Sequence, residues 1–133
     1  MKKRHIVLIV LLSILIVGAA AVLLAYNSIN ESLKELEVMP IRDIDLTQIA
    51  DGTYDGVWST FPVAAEVRVT VKNHAITVIQ LVKHDNGMGS AAEVLPEKVI
   101  EAQSLNVDIV SGATHSSKVI LKAIENALEK GSK

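Results

Sequence analysis

Residues Asp108 to Ser117 read D-I-V-S-G-A-T-H-S-S. One acid, one glycine and four hydroxyl side chains (Ser111, Thr114, Ser116 and Ser117) stand directly before an apolar-rich run, K-V-I-L-K-A-I-E-N-A-L. Two chemistries suit that arrangement. One is helix capping, with Ser116 or Thr114 accepting from the exposed amides and Gly112 relieving the turn. The other is anion binding. Unpaired amides and the helix dipole favour negative charge at a helix start, and the hydroxyls add donors. Gly112 and Ala113 would let a bulky ligand come close to the backbone. The residue types leave both readings open.

Other combinations carry less. Ser111, His84 and Asp108 supply the residue types of a hydrolase triad, but the chain has no G-x-S-x-G elbow. His5, His74, His84 and His115 are not spaced as metal ligands. Gly87-x-Gly89 lacks the rest of a dinucleotide-binding fingerprint. Cysteine is absent, which removes disulfides and thiolate chemistry. All 15 acids follow residue 26, with all but three of the 13 basic residues, so the main part of the chain is acidic. That argues against a nucleic-acid partner, which calls for a basic footprint.

The elements that must position these residues can be read from periodicity. Ile6 to Tyr26 is an uncharged apolar run. As a helix it spans about 31 Å, close to the roughly 30 Å of a bilayer core. Lys2, Lys3, Arg4 and His5 precede it, so the positive-inside rule predicts residues 1–5 in the cytoplasm and everything after Tyr26 outside. Ala19-Ala20-Ala21 has the form of a signal cleavage site, but the apolar run continues past it, which favours an uncleaved single-pass anchor in the cell membrane. Residues 27–44 read as a juxtamembrane stalk, with a short helix ended by Pro40. Residues 45–133 read as an α+β domain, a small antiparallel sheet packed with helices.

Within that domain, D-G-T-Y-D-G (Asp51 to Gly56) carries two turn signals. Val67, Val69 and Val71 alternate with Glu66, Arg68, Thr70 and Lys72, as in a half-buried strand. Asn73-His74 predicts a tight turn into a second strand, A-I-T-V-I-Q-L-V-K. Asp85 to Ser90 is expected as a loop, about Ala92 to Gln103 as a helix with Pro96 in its first turn, Val107 to Val110 as a short strand, and Ser117 to about Glu129 as the last helix.

D-I-V-S-G-A-T resembles the flavinylation motif of the FMN-binding domain family, in which an acid is followed after two residues by Ser/Thr-Gly-Ala-Thr. That family includes extracytoplasmic flavin subunits of the sodium-translocating NADH:quinone reductase and of related ferredoxin:NAD oxidoreductase complexes. It also includes small anchored domains, which this chain resembles more. The resemblance extends over about Asp45 to Leu128. D-G-T-Y-D-G resembles the family's domain opening, V-R-V-T-V-K-N-H-A-I-T-V-I its hairpin, and the stretch from Ala92 to Ser117 its helix leading into the motif.

The resemblance implies FMN joined through its phosphate to the Thr114 hydroxyl by a dedicated transferase that uses FAD as donor. Asp108, Ser111, Gly112 and Ala113 would then serve recognition and shape, with Ser116 and Ser117 at the helix start beside them. Small family members have a histidine before a glycine-rich loop, which points to His84 and Met88 near the flavin, and Gln103 is a family-like position before the motif. The Glu-Thr-Pro-Gly of the larger subunits is missing from this loop. The implied role is an electron relay between a membrane-bound donor and an external acceptor, rather than a complete enzyme. The rival is an anchored binding or adaptor domain with noncovalent flavin or none.

Overall fold

The computed structural model describes residues 2–85, 87 and 89–133. The chain divides into two compact units, Met1–Ser32 and Leu33–Lys133. The first is the greater part of a single helix, α1 (Lys2–Val38). Its best 18-residue window has a mean hydropathy of 3.2, and none of that window is buried. A run of exposed leucines, isoleucines and valines over that length is unfavourable in water and suited to lipid.

The second unit is the predicted α+β domain. Three antiparallel strands, β1 (Gly52–Thr60), β2 (Val63–Lys72) and β3 (Ala75–Asp85), form a sheet in the order β1-β2-β3. The helices α2 (Leu95–Ala102) and α3 (Thr114–Lys130) cover one face, α3 over β1 and β2 and α2 against β3. The alternation along β2 does what its sequence predicts: Val63, Ala65, Val67, Val69 and Val71 are buried. Their facing partners are Val119, Ile120, Ala123, Ile124, Ala127 and Leu128 of α3, all buried. Asn73 and His74 turn β2 into β3 with φ of 52° and 61°, the left-handed pair a two-residue hairpin needs.

Four expectations are corrected. Asp51 to Gly56 is not a turn, since Gly52 to Gly56 form the first half of β1. Gly56 is there because α3 presses on it: a Cβ would lie 1.9 Å from the Ala123 carbonyl oxygen and 2.6 Å from the Ala127 nitrogen. Val107 to Val110 forms no strand, and joins α2 to α3 without regular secondary structure. The α2 region starts as a 3-10 turn, Ser90–Val94, and becomes α-helical only at Leu95, because Pro96 fits the first turn alone. The last helix starts three residues early, at Thr114.

The core also reaches back into the stretch read as stalk. Leu36 is fully buried and Leu33 packs on the core, both on the last turns of α1. Arg42 bonds Glu125 through its backbone N–H and its Nε, both at 3.1 Å, and Lys122 Nζ reaches the same carboxylate at 3.0 Å. Burial by itself would raise the Glu125 carboxyl, but these bonds outweigh it and hold the group below its ordinary value of 4.5. Asp43 is lowered too, with the Ser104 hydroxyl and the Leu105 amide outweighing its partial burial.

A carboxyl whose folded value lies below its unfolded one stabilises the fold above the unfolded value and loses that contribution as pH falls through the folded one. The melting temperature of the detergent-solubilised chain is therefore expected to decline as pH drops below 4.5. Glu125→Ala leaves the buried Lys122 ammonium without this partner and should cost about 3–5 kcal/mol at neutral pH. Thermal melts of the two proteins across pH check this: the wild-type decline should be steeper, and equal slopes would contradict it.

Candidate functional site

One end of the sheet gathers the motif. The junction of β1 and β2 (Thr60 and Val63), the end of β3 (Asp85), Gly89 and the start of α3 all lie there. Val63, Gly89, Gly112, Ala113, Thr114, His115 and Ser116 line a cleft of about 210 Å³. Two of its walls, Val63 and Gly89, were not expected from sequence, because they come from elements remote in the chain.

Its floor is an uncapped helix start. Ala113 occupies the cap position of α3, and no side chain bonds the helix amides there. The Ser117 amide donates to the Ala113 carbonyl at 2.8 Å, the first bond of the helix. The preceding amides, of Thr114, His115 and Ser116, are the ones a helix cannot satisfy internally. The capping expectation for Ser116 and Thr114 is thus not met. Ser117 instead turns its hydroxyl back to accept from the Val110 amide at 3.1 Å, which ties the motif loop down.

Ser116 differs from its neighbour. Its side chain is buried, the residue being 2% exposed, and its hydroxyl finds no hydrogen-bond partner. An unmet buried hydroxyl costs about 1–3 kcal/mol, so it is a place where a ligand acceptor would be welcome. Thr114, at the first helical position, is half-buried on the cleft wall. Gly112 sits at φ 79° with open space where a Cβ would be, so it shapes the loop without filling the cleft. A phosphate group fits this chemistry: free amides along a helix axis, one orphan hydroxyl donor, and walls without side-chain bulk.

His115 Nε2 lies 2.8 Å from Glu37 Oε1, and Lys118 Nζ donates to the Met39 carbonyl at 2.7 Å. The last turn of α1 is therefore bonded to the first turn of α3. Sequence reasoning had no signal for this pairing across 78 positions beyond an acid and a histidine of opposite character.

The remaining predicted residues divide. His84 stands across from Ala65 on β3, its side chain 2% exposed and its Nδ1 2.9 Å from Glu93 Oε1. It faces the helices because β3 carries an irregularity: Glu66 pairs Lys83, but Val67 pairs Leu81, leaving Val82 extra. Without that extra residue Lys83 would take the inward place. The His84–Glu93 bond holds the 3-10 turn that follows Gly89, and so buttresses the cleft from behind. A histidine bonded to Glu93 also does not form the triad with Asp108.

Asp108 and Ser111 are exposed on the loop before α3 and do not line the cleft. Gln103 lies elsewhere. Its amide donates to the Ile76 and Ile100 carbonyls and accepts from the Ile76 amide, closing α2 onto the far end of β3. Met88 lies outside the described residues.

Residues 56–129 match the family model of the FMN-binding domain. The chain is 30% identical over 103 residues to the NADH:acrylate oxidoreductase of Vibrio harveyi, covering 75% of this chain and 10% of that protein. It is 31% identical over 91 residues to an uncharacterized protein of Treponema pallidum (strain Nichols), covering 66% of this chain and 25% of that protein. The chain thus spans a tenth and a quarter of the length of these curated relatives. No solved structure matches it.

Proposed function

The chain belongs to the FMN-binding domain family, and from that premise we propose that it is a membrane-anchored electron relay carrying FMN esterified to Thr114. The observation that carries this reading is the uncapped start of α3, with the orphan Ser116 hydroxyl two residues from Thr114 in one cleft.

In the attachment step the Thr114 Oγ1 bonds to the phosphorus that bears the riboflavin of FAD. The pyrophosphate P–O bond breaks, AMP leaves, and the hydroxyl proton passes to the transferase. No electron changes hands. The domain supplies an accessible threonine and a loop shape; the transferase supplies activation. The phosphodiester keeps one negative charge, which the amides of His115 and Ser116 and the Ser116 hydroxyl are free to receive.

Bound flavin passes one or two electrons, and that chemistry is the cofactor's own. Thr114, on the N-terminal turn of a helix packed across the sheet, gives the tether a rigid base. Covalent attachment suits a site outside the cell, where a dissociated cofactor would be lost. The positive residues before the apolar helix support that placement. A membrane-bound donor and an external acceptor would complete the relay.

The reading is tested by coexpressing the full chain with a flavin transferase and illuminating a denaturing gel. The band should fluoresce, and a dark band from folded protein would favour the adaptor alternative. Ser116→Ala adds a sign test. Removing the orphan hydroxyl should raise the melting temperature of the flavin-free protein, by about 1 kcal/mol of stability, and should slow flavin loading. A variant that is destabilised and loads normally would show the hydroxyl to be structural.

A further inference from the structure

We infer that Phe61 is the face against which the flavin ring lies, an inference that rests on the reading of Thr114 given above. The cleft at the start of α3 holds about 210 Å³. Pockets that enclose a drug-sized ligand run to about 300–1,000 Å³. The cleft takes a phosphate and part of a polyol chain, and the tricyclic ring must rest on the surface at its mouth.

The surface there can be located from the packing of α3 on β1. Lys130 Nζ bonds the Asp55 carbonyl, Asn126 Nδ2 bonds the Val57 carbonyl at 3.0 Å, and Lys122 Nζ stands 5.0 Å from the Trp58 ring centre. Towards its start α3 thus moves along β1 towards the Phe61-Pro62 turn. Val63, the first residue of β2, pairs with Thr60, the last of β1, and lines the cleft together with Thr114. The Phe61-Pro62 turn, which joins Thr60 to Val63, therefore adjoins the cleft wall.

Phe61 is 71% exposed. A single exposed apolar side chain needs no explanation by itself. Its position and its company set this one apart. The domain has two other aromatic residues, and both are committed: Tyr54 bonds the Ala50 carbonyl at 2.6 Å at the far end of β1, and Trp58 is covered by Lys122. Phe61 alone of the three is exposed, and it stands two residues before Val63 of the cleft wall. Offset stacking of aromatic rings is favourable beyond the area it buries.

The test uses the full chain loaded by the transferase, with loading verified by intact mass in every variant. Phe61→Trp puts an electron-rich indole in the same place and should quench flavin emission several-fold. Val78→Trp, on an exposed strand position whose neighbour is Thr70, is the control and should leave emission unchanged. Phe61→Ala should raise the iodide quenching constant of the flavin about two- to tenfold, the change in stacked-to-open ratio that one lost aromatic pair implies. Loaded protein whose emission and iodide accessibility are unaltered by both Phe61 changes would overturn the inference and leave the Thr114 reading standing. Wild-type protein that takes up no covalent flavin would instead overturn both.

Discussion

Thr114→Ala is expected to remove the proposed covalent flavin completely while the domain stays folded. The side chain is half-buried on the cleft wall, and the helix below it does not depend on it. The cap is Ala113, the first helical bond runs from the Ser117 amide to the Ala113 carbonyl, and the loop is held by Ser117 and Val110. Alanine is also the better helix former, so stability should change by less than about 1 kcal/mol. The loss is all-or-none because the ester needs an oxygen, and the neighbouring hydroxyls are placed wrongly. Ser117 is buried and bonded to the Val110 amide, Ser116 is buried where it can donate to a phosphate but not be reached by a transferase, and Ser111 is exposed on the loop outside the cleft. Fluorescence of a denaturing gel is the measurement. A fluorescent Thr114→Ala band would move the attachment elsewhere. Thr114→Ser keeps the oxygen and should retain fluorescence.

Gly56→Ala is expected to be the most destabilising small change in the domain. The added carbon would meet the Ala123 carbonyl at 1.9 Å and the Ala127 nitrogen at 2.6 Å. Both are backbone atoms in the middle of α3, so no side chain can swing away. The helix must lift from β1, and the bonds from Asn126 to Val57 and from Lys130 to Asp55 lie on either side of the collision. Overpacking costs about 1–3 kcal/mol where side chains can adjust. A backbone collision belongs at the upper end, and about 3 kcal/mol in a domain of this size lowers the melting temperature by roughly 12–24 °C. Trp58, the only tryptophan in the chain, lies against Lys122 on the same helix, so its emission follows the separation. A melting curve matching the wild type would show that α3 and β1 do not approach so closely.

The same glycine shows what the sequence could and could not tell. Asp51-Gly52 and Asp55-Gly56 read as turn signals, because glycine beside an acid is a common turn pair. Here Gly56 is demanded by Ala123 and Ala127 of α3, more than 60 residues later, which no local pattern reveals. Strands β2 and β3 were legible because one face is buried and the hairpin turn has its own signature. The inward setting of His84 depended on one extra residue in β3, which shifts the alternation and hides the burial pattern. The long apolar helix was legible from length and hydropathy alone. Its last turn was not legible as core, since Leu33 and Leu36 look like an amphipathic stalk until Glu37 is seen against His115.

The motif itself was legible only in part. Its hydroxyls could not be told apart by type. Folding separates them: Ser117 ties the loop, Ser116 is left unmet, and Thr114 faces the cleft. Gln103 shows the converse, a motif-adjacent amide that the fold spends on the backbone of Ile76 and Ile100.

The central claim is that one FMN is esterified to Thr114, and intact mass followed by fragment mapping of the full-length protein tests it most directly. Coexpressed with a flavin transferase, the chain should gain the mass of one FMN less one water, on the fragment that contains Thr114. Folded protein with no added mass, or with the increment on a fragment that lacks Thr114, would contradict it.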